Sequence, residues 1–431
     1  RVLPWNFAAP SDYSPATRFA DAHQKAHAMT TRQTVLDAIE AGQIRFVDLW
    51  FTDITGTVKT ITVPAGKLEA VIDAGLHFDG SSLEGFARVA ESDMVLVPDL
   101  STFTPLPWTE AHERTAIVIC SVHTPQGDPF IGDPRNVLLR ALERAAEMGF
   151  SFKTGMELEF FLFRDGPESG RRGLMPQDDA SYFDISDDLT QRISRAMIST
   201  LIGLGIEVDS SHHEIGSGQH EMDFDYNPAL TSADHVLTAR VALRNVALRN
   251  HLHCTFMTRP SADLPGSGMH THQSLHDLRT DANVFADSQH EYGLSETARH
   301  FLAGQLAHAR AMCAVLAPLV NSYKRLSVSF EAPTYITWAH VNRAGAALIR
   351  VPHIAPGQES HTRLELRCPD PSSNPSLATA VMPEAGLDGI RQRLPLPAAL
   401  EESLIRQDRS RMRQVEMLPS SLGEALEALR Q

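Results

Sequence analysis

The sequence predicts an α+β fold in which a small mixed domain precedes a larger domain of alternating strands and helices. Residues 44–64 are rich in β-branched and aromatic residues and are interrupted by Thr55-Gly56, which predicts a β-hairpin. Beyond residue 130, segments of strand period alternate with segments of helical period, which predicts a large sheet covered by helices. The predicted divisions are an N-terminal extension at 1–29, a small domain at 30–127 and a larger domain at 128–431.

Turn residues and helix-end signals place the elements in order. The small domain is predicted to contain a helix at 30–41, the hairpin at 44–64, a helix at 68–73, short strands within 76–108 and a strand at 115–122. In the larger domain, Asp133 is a candidate N-cap and Pro134 suits the first turn of a helix over 135–148. The elements predicted after it are strands at 156–163, 205–209, 253–258, 268–275, 335–339 and 363–367, a hairpin at 212–224, and helices at 188–204, 233–249, 295–318, 375–390 and 400–416.

Composition excludes several classes of protein. The chain has 38 Lys and Arg against 53 Asp and Glu, a formal net charge of −15, which argues against nucleic-acid binding. No apolar segment approaches the roughly 18 residues of a transmembrane helix, so we expect no membrane partner. The four cysteines show no CxxC spacing and predict reduced thiols in a cytoplasmic protein.

Glu157 and Glu159 lie in the segment MELEFFLF at 156–163. Strand alternation places both carboxylates on one face of an otherwise apolar strand. Two adjacent buried carboxylates are unfavourable unless a cation lies beside them, which favours a metal site. A solvent-exposed strand face is the alternative interpretation.

The segment HHEIGSGQHE at 212–221 predicts a hairpin in which Ser217-Gly218 forms a two-residue turn. In that register, Glu214 lies directly opposite Glu221. Facing carboxylates repel each other, and a divalent cation between them would remove the conflict. Oxygen ligands of this kind suit Mg²⁺ or Mn²⁺.

The segment PGSGMHTH at 265–272 joins a glycine-rich loop to two alternating histidines. Glycines allow backbone N–H groups to approach an anion closely. His270 and His272 share one strand face, either as functional residues or as ordinary core histidines. Neither the Walker A spacing nor GxGxxG occurs in the chain.

The segment RLELR at 363–367 places Arg363, Glu365 and Arg367 on one strand face. A surface ion-pair ladder is one interpretation, and such ladders contribute little to stability. A charged pocket wall is the other, with arginines for phosphate or carboxylate groups and the glutamate for a metal. Arg325 and Arg343 add further cations beside polar loop residues.

Acidic ligands, several arginines and a glycine loop together predict phosphoryl transfer to an anionic co-substrate. Metal-dependent hydrolysis is the competing class, because amidohydrolase barrels also use a His-x-His pair. In that fold the pair lies near the start of the barrel, and too few residues follow His272 for a barrel of about 250 residues.

These motifs resemble the bacterial class I form of the glutamine synthetase family. The resemblance runs from about Thr31 to Leu429 and rests on FTDITG (51–56), FDGSSLEGFARVAESDMVLVPD (78–99), MELEFFLF, HHEIGSGQHEMDF (212–224), PGSGMHTHQSL (265–275), NSYKRL (321–326), FEAPTY (330–335), NR (342–343) and RLELRCPDPSSNPSLA (363–378). It implies a β-grasp domain followed by a catalytic α/β domain. It also implies an ATP-dependent ligase that joins the γ-carboxylate of glutamate to ammonia or an amine through γ-glutamyl phosphate.

The resemblance assigns roles to individual residues. Two or three Mg²⁺ or Mn²⁺ ions per active site would be held by Glu157, Glu159, Glu214, Glu221, His270 and Glu365. Residues that would contact ATP are Glu207, His272, Ser274, Arg350 and Arg363. Substrate would be bound by Arg325, Gly266 and Tyr182, and the catalytic residues would be Asp53, Glu331, Arg343 and Arg367. Asp53 would be supplied by a neighbouring subunit of a hexameric or dodecameric ring.

The acceptor remains open between two groups. Ammonia, as in glutamine synthesis, is the first, because Asp53 and Tyr182 match the family's ammonia site. The segments PGSGMH and DGSSLEGFARVAESD are more similar to divergent paralogues, some of which use polyamines, ethanolamine, methylamine or anilines. A third hypothesis is a structural or regulatory family member without catalysis, in which lost metal ligands would be expected.

Overall fold

The computed structural model describes residues 32–83, 93–164, 175–184, 188–326, 332–340, 347–401 and 415–431. The extension predicted at 1–29 and most of the helix predicted at 400–416 lie outside these residues. Two of the candidate site residues, Glu331 and Arg343, also lie outside them.

The described residues form helices and strands in both domains. The helices are α1 (32–42), α2 (Leu68–Ala74), α3 (Pro134–Glu147), α4 (Asp188–Gly203), α5 (Ala229–Arg249), α6 (Glu296–Ala307), α7 (Ala309–Leu316), α8 (Ser322–Leu326), α9 (Pro375–Gln392) and α10 (Leu422–Arg430). The strands are β1 (Phe46–Thr52), β2 (Val58–Pro64), β3 (Leu76–Asp79), β4 (Asp93–Pro98), β5 (Thr104–Pro105), β6 (Thr115–His123), β7 (Phe150–Arg164), β8 (Met175–Pro176), β9 (Val208–His213), β10 (Gln219–Phe224), β11 (Asn227–Pro228), β12 (Leu252–Thr255), β13 (Thr271–Asp277), β14 (Tyr335–Ala339), β15 (Ala347–Arg350) and β16 (Leu364–Leu366). Within this part of the chain, no helix combines the length and apolar character needed to cross a bilayer.

The small domain is a six-stranded sheet in the order β2-β1-β6-β4-β3, with β5 also paired to β6. The predicted hairpin is present: β1 and β2 are antiparallel, and Gly56 adopts a φ of 76° in the turn between them. Strand β1 also runs parallel to β6, and Val47 and Leu49 are fully buried beneath helices α1 and α2 with Val35 and Leu68.

The large domain is organised around β7, a strand of 15 residues. The ten-stranded sheet runs in the order β14-β15-β16-β13-β7-β10-β9, and β8, β11 and β12 also pair with β7. Strand β13 pairs with residues 150–156 of β7, whereas β10 pairs with residues 157–161. The pairing of β7 therefore changes from β13 to β10 at Glu157, the first of its two carboxylates.

Two predictions about elements were wrong in detail. The strand predicted at 205–209 and the first arm of the hairpin are one strand, β9, which follows a turn at Gly205 with a φ of 75°. The helix predicted at 295–318 is two helices that meet at His308, whose ring bonds Asp388 of α9 at 2.8 Å. Helix α6 lies so close to α9 that a Cβ on Gly304 would be 2.2 Å from the carbonyl oxygen of Ala385.

Arg135 at the start of α3 connects the two domains through a buried ion pair with Asp234 and a partly exposed one with Asp99. Its Nη2 lies 2.7 Å from Asp99 Oδ2 of the small domain and 2.8 Å from Asp234 Oδ2 of α5. The Arg135 guanidinium is buried, and its charge lowers the pKa of Asp99 although burial of that carboxyl acts in the opposite direction. Removing one partner would leave part of a buried cation uncompensated.

We expect Asp234→Ala to lower the free energy of unfolding by about 3–5 kcal/mol, because it leaves the Arg135 charge with Asp99 alone. Glu69→Ala is the matched control: Glu69 pairs with Arg32 on the surface, and its loss should cost at most about 1 kcal/mol. Thermal unfolding of both variants checks this. Equal small losses would show that the buried pair contributes no more than a surface pair.

Candidate active site

Carboxylates from neighbouring strands face each other where β7 meets β10. Glu159 lies directly opposite Glu221, and Glu157 lies directly opposite Asp223. The other edge of β7 faces the glycine loop, because the N–H groups of Glu157 and Glu159 donate to the carbonyl oxygens of His270 and Gly268. The two predicted carboxylates of β7 therefore lie between the predicted hairpin and the predicted histidine segment.

The predicted register of the hairpin was wrong by two residues. Strands β9 and β10 pair His213 with His220 and His212 with Glu221. The Glu214 N–H donates to the Gln219 carbonyl at 2.9 Å, so the loop contains the four residues 215–218 instead of two. Because a slip of two residues leaves every side chain on its original face, Glu214 and Glu221 still lie together.

The first cluster contains His212, Glu214 and Glu221, whose ligand atoms all lie within 4.8 Å of one another. His212 Nε2 is 3.1 Å from Glu214 Oε1 and 3.5 Å from Glu221 Oε1. Burial, followed by the charges of Glu159 and Glu157, raises the pKa of Glu221 well above its usual range. Without a cation, these buried carboxylates cannot all be charged.

The second cluster contains Glu157, His270 and Glu365. His270 Nδ1 is 2.9 Å from Glu157 Oε2 and 3.8 Å from Glu365 Oε1. His272 Nε2 bonds the other Glu157 oxygen at 2.6 Å. Burial opposes ionisation of Glu157, but its hydrogen bonds with the two histidines lower the pKa of this carboxyl below the usual range.

The chemistry of these two groups fits divalent cations. Most of the donors are carboxylate oxygens, which hard ions such as Mg²⁺ and Mn²⁺ prefer. The buried Oδ1 of Asp223, opposite Glu157, has no hydrogen-bond partner in the part of the chain that the structure describes. The residues at the junction of β7, β9 and β10 could therefore hold cations, as the sequence predicted.

A cavity of about 600 Å³ opens beside the second cluster. Three predicted ATP contacts, His272, Ser274 and Arg363, line it together with Glu157. Arg363 Nε donates to His272 Nδ1 at 3.1 Å, which orients the imidazole toward Glu157. The lining carries Arg363 and three histidines but also four carboxylates (Glu157, Asp209, Asp223 and Asp225), so negatively charged phosphates would be favoured there only together with cations held by these carboxylates.

The remaining ATP candidates lie at the edge of this cavity or away from it. Arg350 forms an ion pair with Glu365, which links it to the second cluster. Glu207 is exposed, and Asp209 and Asp225 line the cavity in its place. Arg367, predicted to stabilise the transferring phosphate, has its Nε 3.7 Å from Glu365 Oε1.

Arg325 is held beneath the glycine loop. It is 4% exposed and donates to the carbonyl oxygens of Cys368, Pro369 and Arg367, while its Nη2 lies 3.4 Å from His270 Nε2. A Cβ on Gly266 would be 2.7 Å from the Arg325 side chain, and one on Gly268 would be 2.5 Å from its Nη2. The loop needs these glycines so that the backbone can cover Arg325.

Asp53 and Tyr182 occupy different surroundings. Asp53 is buried in the turn after β1, where its Oδ1 accepts from the N–H groups of Thr55 and Thr57, each at 3.0 Å. Its other oxygen is 3.1 Å from Lys59 Nζ. Tyr182 is half exposed, and its ring meets that of His212 edge-on at 5.5 Å.

Sequence reasoning missed several polar residues of this site. Asp223 follows Glu221 at the strand period, and His212 precedes Glu214 at the same period, so alternation could have identified both. Gln219 is different: its amide donates to Glu159 Oε2 at 2.8 Å and to the Gly266 carbonyl at 3.3 Å. That role depends on a contact between distant segments, which no local pattern indicates.

The fold and the site place the chain in a class of two-domain enzymes whose large sheet presents clustered carboxylates and histidines to a cavity. Family models agree: the glutamine synthetase β-grasp domain matches residues 43–125, and the glutamine synthetase catalytic domain matches residues 131–431. The chain belongs to the glutamine synthetase family and is an ATP-dependent ligase.

Named relatives and solved structures are similar along most of their length. The glutamine synthetase of Thermus thermophilus is 45% identical over 407 residues, 93% of this chain and 90% of that protein. The glutamine synthetase of Halobacterium salinarum is 46% identical over 401 residues, 92% of this chain and 87% of that protein. A ligand-free structure of GmaS, 33% identical, has a TM-score of 0.81 and covers 92% of this chain and 89% of that chain. A GmaS complex with ADP has the same TM-score at 32% identity, covering 92% of this chain and 90% of that one.

We expect binding of Mg²⁺ or Mn²⁺ to release protons near pH 7. Because the folded-state pKa of Glu221 is raised, the cation-free protein holds a proton there that the unfolded chain has already lost. The raised pKa of Glu221 therefore destabilises the cation-free folded state increasingly as pH rises above the usual glutamate pKa of about 4.3. A bound cation would displace this proton. Apparent affinity should therefore increase with pH.

Calorimetric titrations in two buffers with different ionisation enthalpies measure the number of protons released. Glu221→Gln, which has no acidic proton at this position, should release fewer than the unaltered chain. Equal proton release by both proteins, or affinity that is independent of pH, would contradict the assignment of the proton to Glu221.

Proposed function

We propose that the two clusters and the cavity form one active site, in which Mg²⁺ or Mn²⁺ is bound and the γ-carboxylate of glutamate is joined to ammonia. The observation that carries this proposal is the position of Glu157. Its carboxylate belongs to the second cluster and lines the cavity, while Glu159, two residues along β7, faces the first cluster. ATP in the cavity would thus have its phosphates directed toward both clusters.

The two clusters have separate roles in this proposal. Glu157, His270 and Glu365 hold the cation beside the ATP phosphates, and Glu159, Glu214 and Glu221 hold the cation beside the acceptor. Such cations neutralise charge that develops on the transferring phosphoryl group. Arg367, beside Glu365, adds positive charge at the second cluster. The family resemblance assigns Arg343, which lies outside the described residues, the same role, and His272, Ser274, Arg350 and Arg363 would contact the nucleotide.

The reaction has two steps with balanced bonds. A γ-carboxylate oxygen of glutamate attacks the γ-phosphorus of ATP, ADP leaves, and an acyl phosphate forms. The nitrogen of the acceptor then attacks the acyl carbon, and inorganic phosphate leaves. An ammonium ion must first lose a proton, which Asp53 would accept. After the attack the new C–N bond carries one proton too many, which Glu331 would take, and Glu331 would also close the site against water that would hydrolyse the acyl phosphate.

Amine ligation is the second candidate function, and a specific feature favours it. Tyr182 and the adjacent Phe183 are exposed, with ring centroids 4.1 Å apart, and both rings contact His212 of the first cluster. Aromatic faces bind alkylammonium and aryl groups well. The structural similarity to GmaS adds to this candidate. The structural or regulatory hypothesis is weaker, since all six predicted metal ligands are present, five of them in the two clusters and Glu159 opposite Glu221.

We also propose a ring-shaped homo-oligomer in the cytoplasm. The carboxylate oxygens of Asp53 are bound by Thr55, Thr57 and Lys59 of the small domain and not by the strands that carry the two clusters, which supports its delivery to a neighbouring subunit. Its carbonyl oxygen accepts from Asn374 of the large domain at 3.0 Å. The Gly56 carbonyl accepts from Arg240 Nη2 at 2.9 Å, and a Cβ on Gly56 would lie 2.8 Å from the Asn374 Cα, so the turn packs against the large domain of the same chain. The four buried, unpaired cysteines fit a reducing compartment.

The acceptor is decided by phosphate release from ATP with Mg²⁺ and glutamate, using ammonium or a panel of alkyl, aryl and polyamines. We expect release with ammonium to be fastest and the product to be glutamine. Faster release with an amine, with the matching γ-glutamylamide detected by mass, would establish the second candidate. No glutamate-dependent release with any acceptor would contradict both.

Glu221→Gln should lower the turnover number by roughly 10–100-fold or more, because it removes one oxygen ligand of the first cluster. Glu110→Gln makes the same chemical change on a side chain that is 78% exposed, and it should leave turnover within about twofold. Turnover measured at saturating Mg²⁺ compares them. Equal turnover of the two variants would show that the reaction does not need the first cluster.

Mixed oligomers test the shared site. Asp53→Asn and Glu221→Gln are each expected to be nearly inactive, yet co-expressed chains should regain activity wherever an intact Asp53 meets an intact first cluster. Co-expression of Glu221→Gln with Glu365→Gln is the control. Both residues belong to the clusters that a single chain supplies to its site, so every site in this mixture lacks one metal ligand and no activity should return. Full activity of Asp53→Asn alone, or no recovery in the first mixture, would contradict a site between subunits.

A further inference from the structure

A second group of ligand-type side chains lies on the reverse face of the hairpin. His213 and His220 are directly paired across β9 and β10, so strand alternation directs them away from His212 and Glu221. Asp178, from the segment at 175–184, reaches them from the side. The ligand atoms of these three residues lie within 4.8 Å of one another.

The hydrogen bonds of His213 determine which of its nitrogens carries a proton. Its Nδ1 lies 2.6 Å from the carbonyl oxygen of Glu214, which can only accept, so Nδ1 must donate. In the neutral ring, Nε2 then carries a lone pair. Nε2 lies 2.8 Å from Asp178 Oδ1, which is also an acceptor when the carboxyl is ionised. Either a proton or a metal cation must lie between them.

His220 distinguishes these two possibilities. It is 5% exposed, and its Nε2 has no hydrogen-bond partner within the described ranges of the chain. A proton shared by His213 and Asp178 would leave this buried nitrogen unsatisfied, whereas a cation bound to all three residues would satisfy it.

We propose that Asp178, His213 and His220 bind one Zn²⁺ ion, separately from the cations of the active site. Two imidazole nitrogens and one carboxylate are a usual ligand set for zinc, whereas the oxygen-rich clusters suit Mg²⁺ or Mn²⁺. The Glu214 carbonyl that accepts from His213 is the kind of outer partner that zinc-bound histidines have. The Asp178 side chain is 8% exposed, and its Oδ2 accepts from the Thr190 hydroxyl at 2.9 Å, which leaves Oδ1 for the ion; a water would be the fourth ligand.

The ion would tie two functional segments together. Asp178 already accepts from the N–H of Gly218 at 3.1 Å, and the Phe183 N–H donates to the His213 carbonyl at 3.2 Å. The segment that carries Tyr182 and Phe183 is therefore attached to the hairpin that carries Glu214 and Glu221. A metal at this junction holds the aromatic pair in a fixed position beside the first cluster.

The test uses the full chain, stripped with a chelator and dialysed against Zn²⁺ or Co²⁺ in the presence of excess Mg²⁺. We expect His220→Asn and Asp178→Asn to bind about one equivalent of zinc less than the unaltered chain, measured by elemental analysis. His253→Asn, on an exposed residue of β12, is the matched control and should keep the full amount. Bound Co²⁺ should give the intense visible absorption of a tetrahedral site, and the two variants should lose it.

Three outcomes would overturn the proposal. One is equal zinc content in the unaltered chain and both variants, which would place the metal in the carboxylate clusters. Another is the weak Co²⁺ absorption of an octahedral site in the unaltered chain. A third is an increase in Tm on adding zinc that is the same for Asp178→Asn and His253→Asn. Asp178 lies at the edge of the group, so its variant decides the question even where His220→Asn does not fold.

Discussion

Repulsion between carboxylates on neighbouring strands is the constraint around which the large domain is built. The sheet register places Glu159 against Glu221 and Glu157 against Asp223, and burial strengthens the repulsion because the protein interior screens charge poorly. Apolar packing of the surrounding strands, with Leu158 and Phe160 fully buried, holds the acidic residues there. The folded chain thus stores an unfavourable interaction that a proton or a divalent cation relieves, which is a physical reason for this sheet to bind cations.

The neighbours of these carboxylates are arranged to limit that cost without removing it. Gln219 donates to Glu159, and His270 and His272 donate to Glu157 where their tautomers allow it. Arg325 lies close enough to lower the pKa of Glu159, although burial of Glu159 outweighs this and the net pKa is raised. The approach of Arg325 depends on Gly266 and Gly268, because a side chain at either position would occupy its space. If positively charged side chains compensated every carboxylate, no metal ion would be needed. The described side chains compensate only some of them.

The sequence predicted those features of the site that depend on local periodicity. Alternation along 156–163 correctly placed Glu157 and Glu159 on one face, because a strand's period is fixed by its backbone. The hairpin register was wrong because it depends on loop length, and residues 215–218 form a four-residue loop that the glycines at 216 and 218 also permit. The faces were nevertheless right, since a slip of two residues preserves them. The pairing of Glu159 with Glu221 could not be predicted, because strand order in the sheet brings together residues that are about 60 positions apart.

The same alternation gives the hairpin two different faces, and Glu214 belongs to both. Its carboxylate lies with His212 and Glu221, whereas its carbonyl oxygen accepts from His213 on the reverse side. The carbonyl oxygen and the side chain of Glu214 share one backbone position, so a movement of His213 that shifts this backbone would also shift a residue of the first cluster. The segment at 175–184 is held by His213 and Gly218 and carries Tyr182, so the aromatic pair and the carboxylates respond to the same group of contacts. If the proposed roles of Tyr182 and of the first cluster hold, acceptor selection and cation binding would be coupled through Glu214 and the contacts of its neighbour His213.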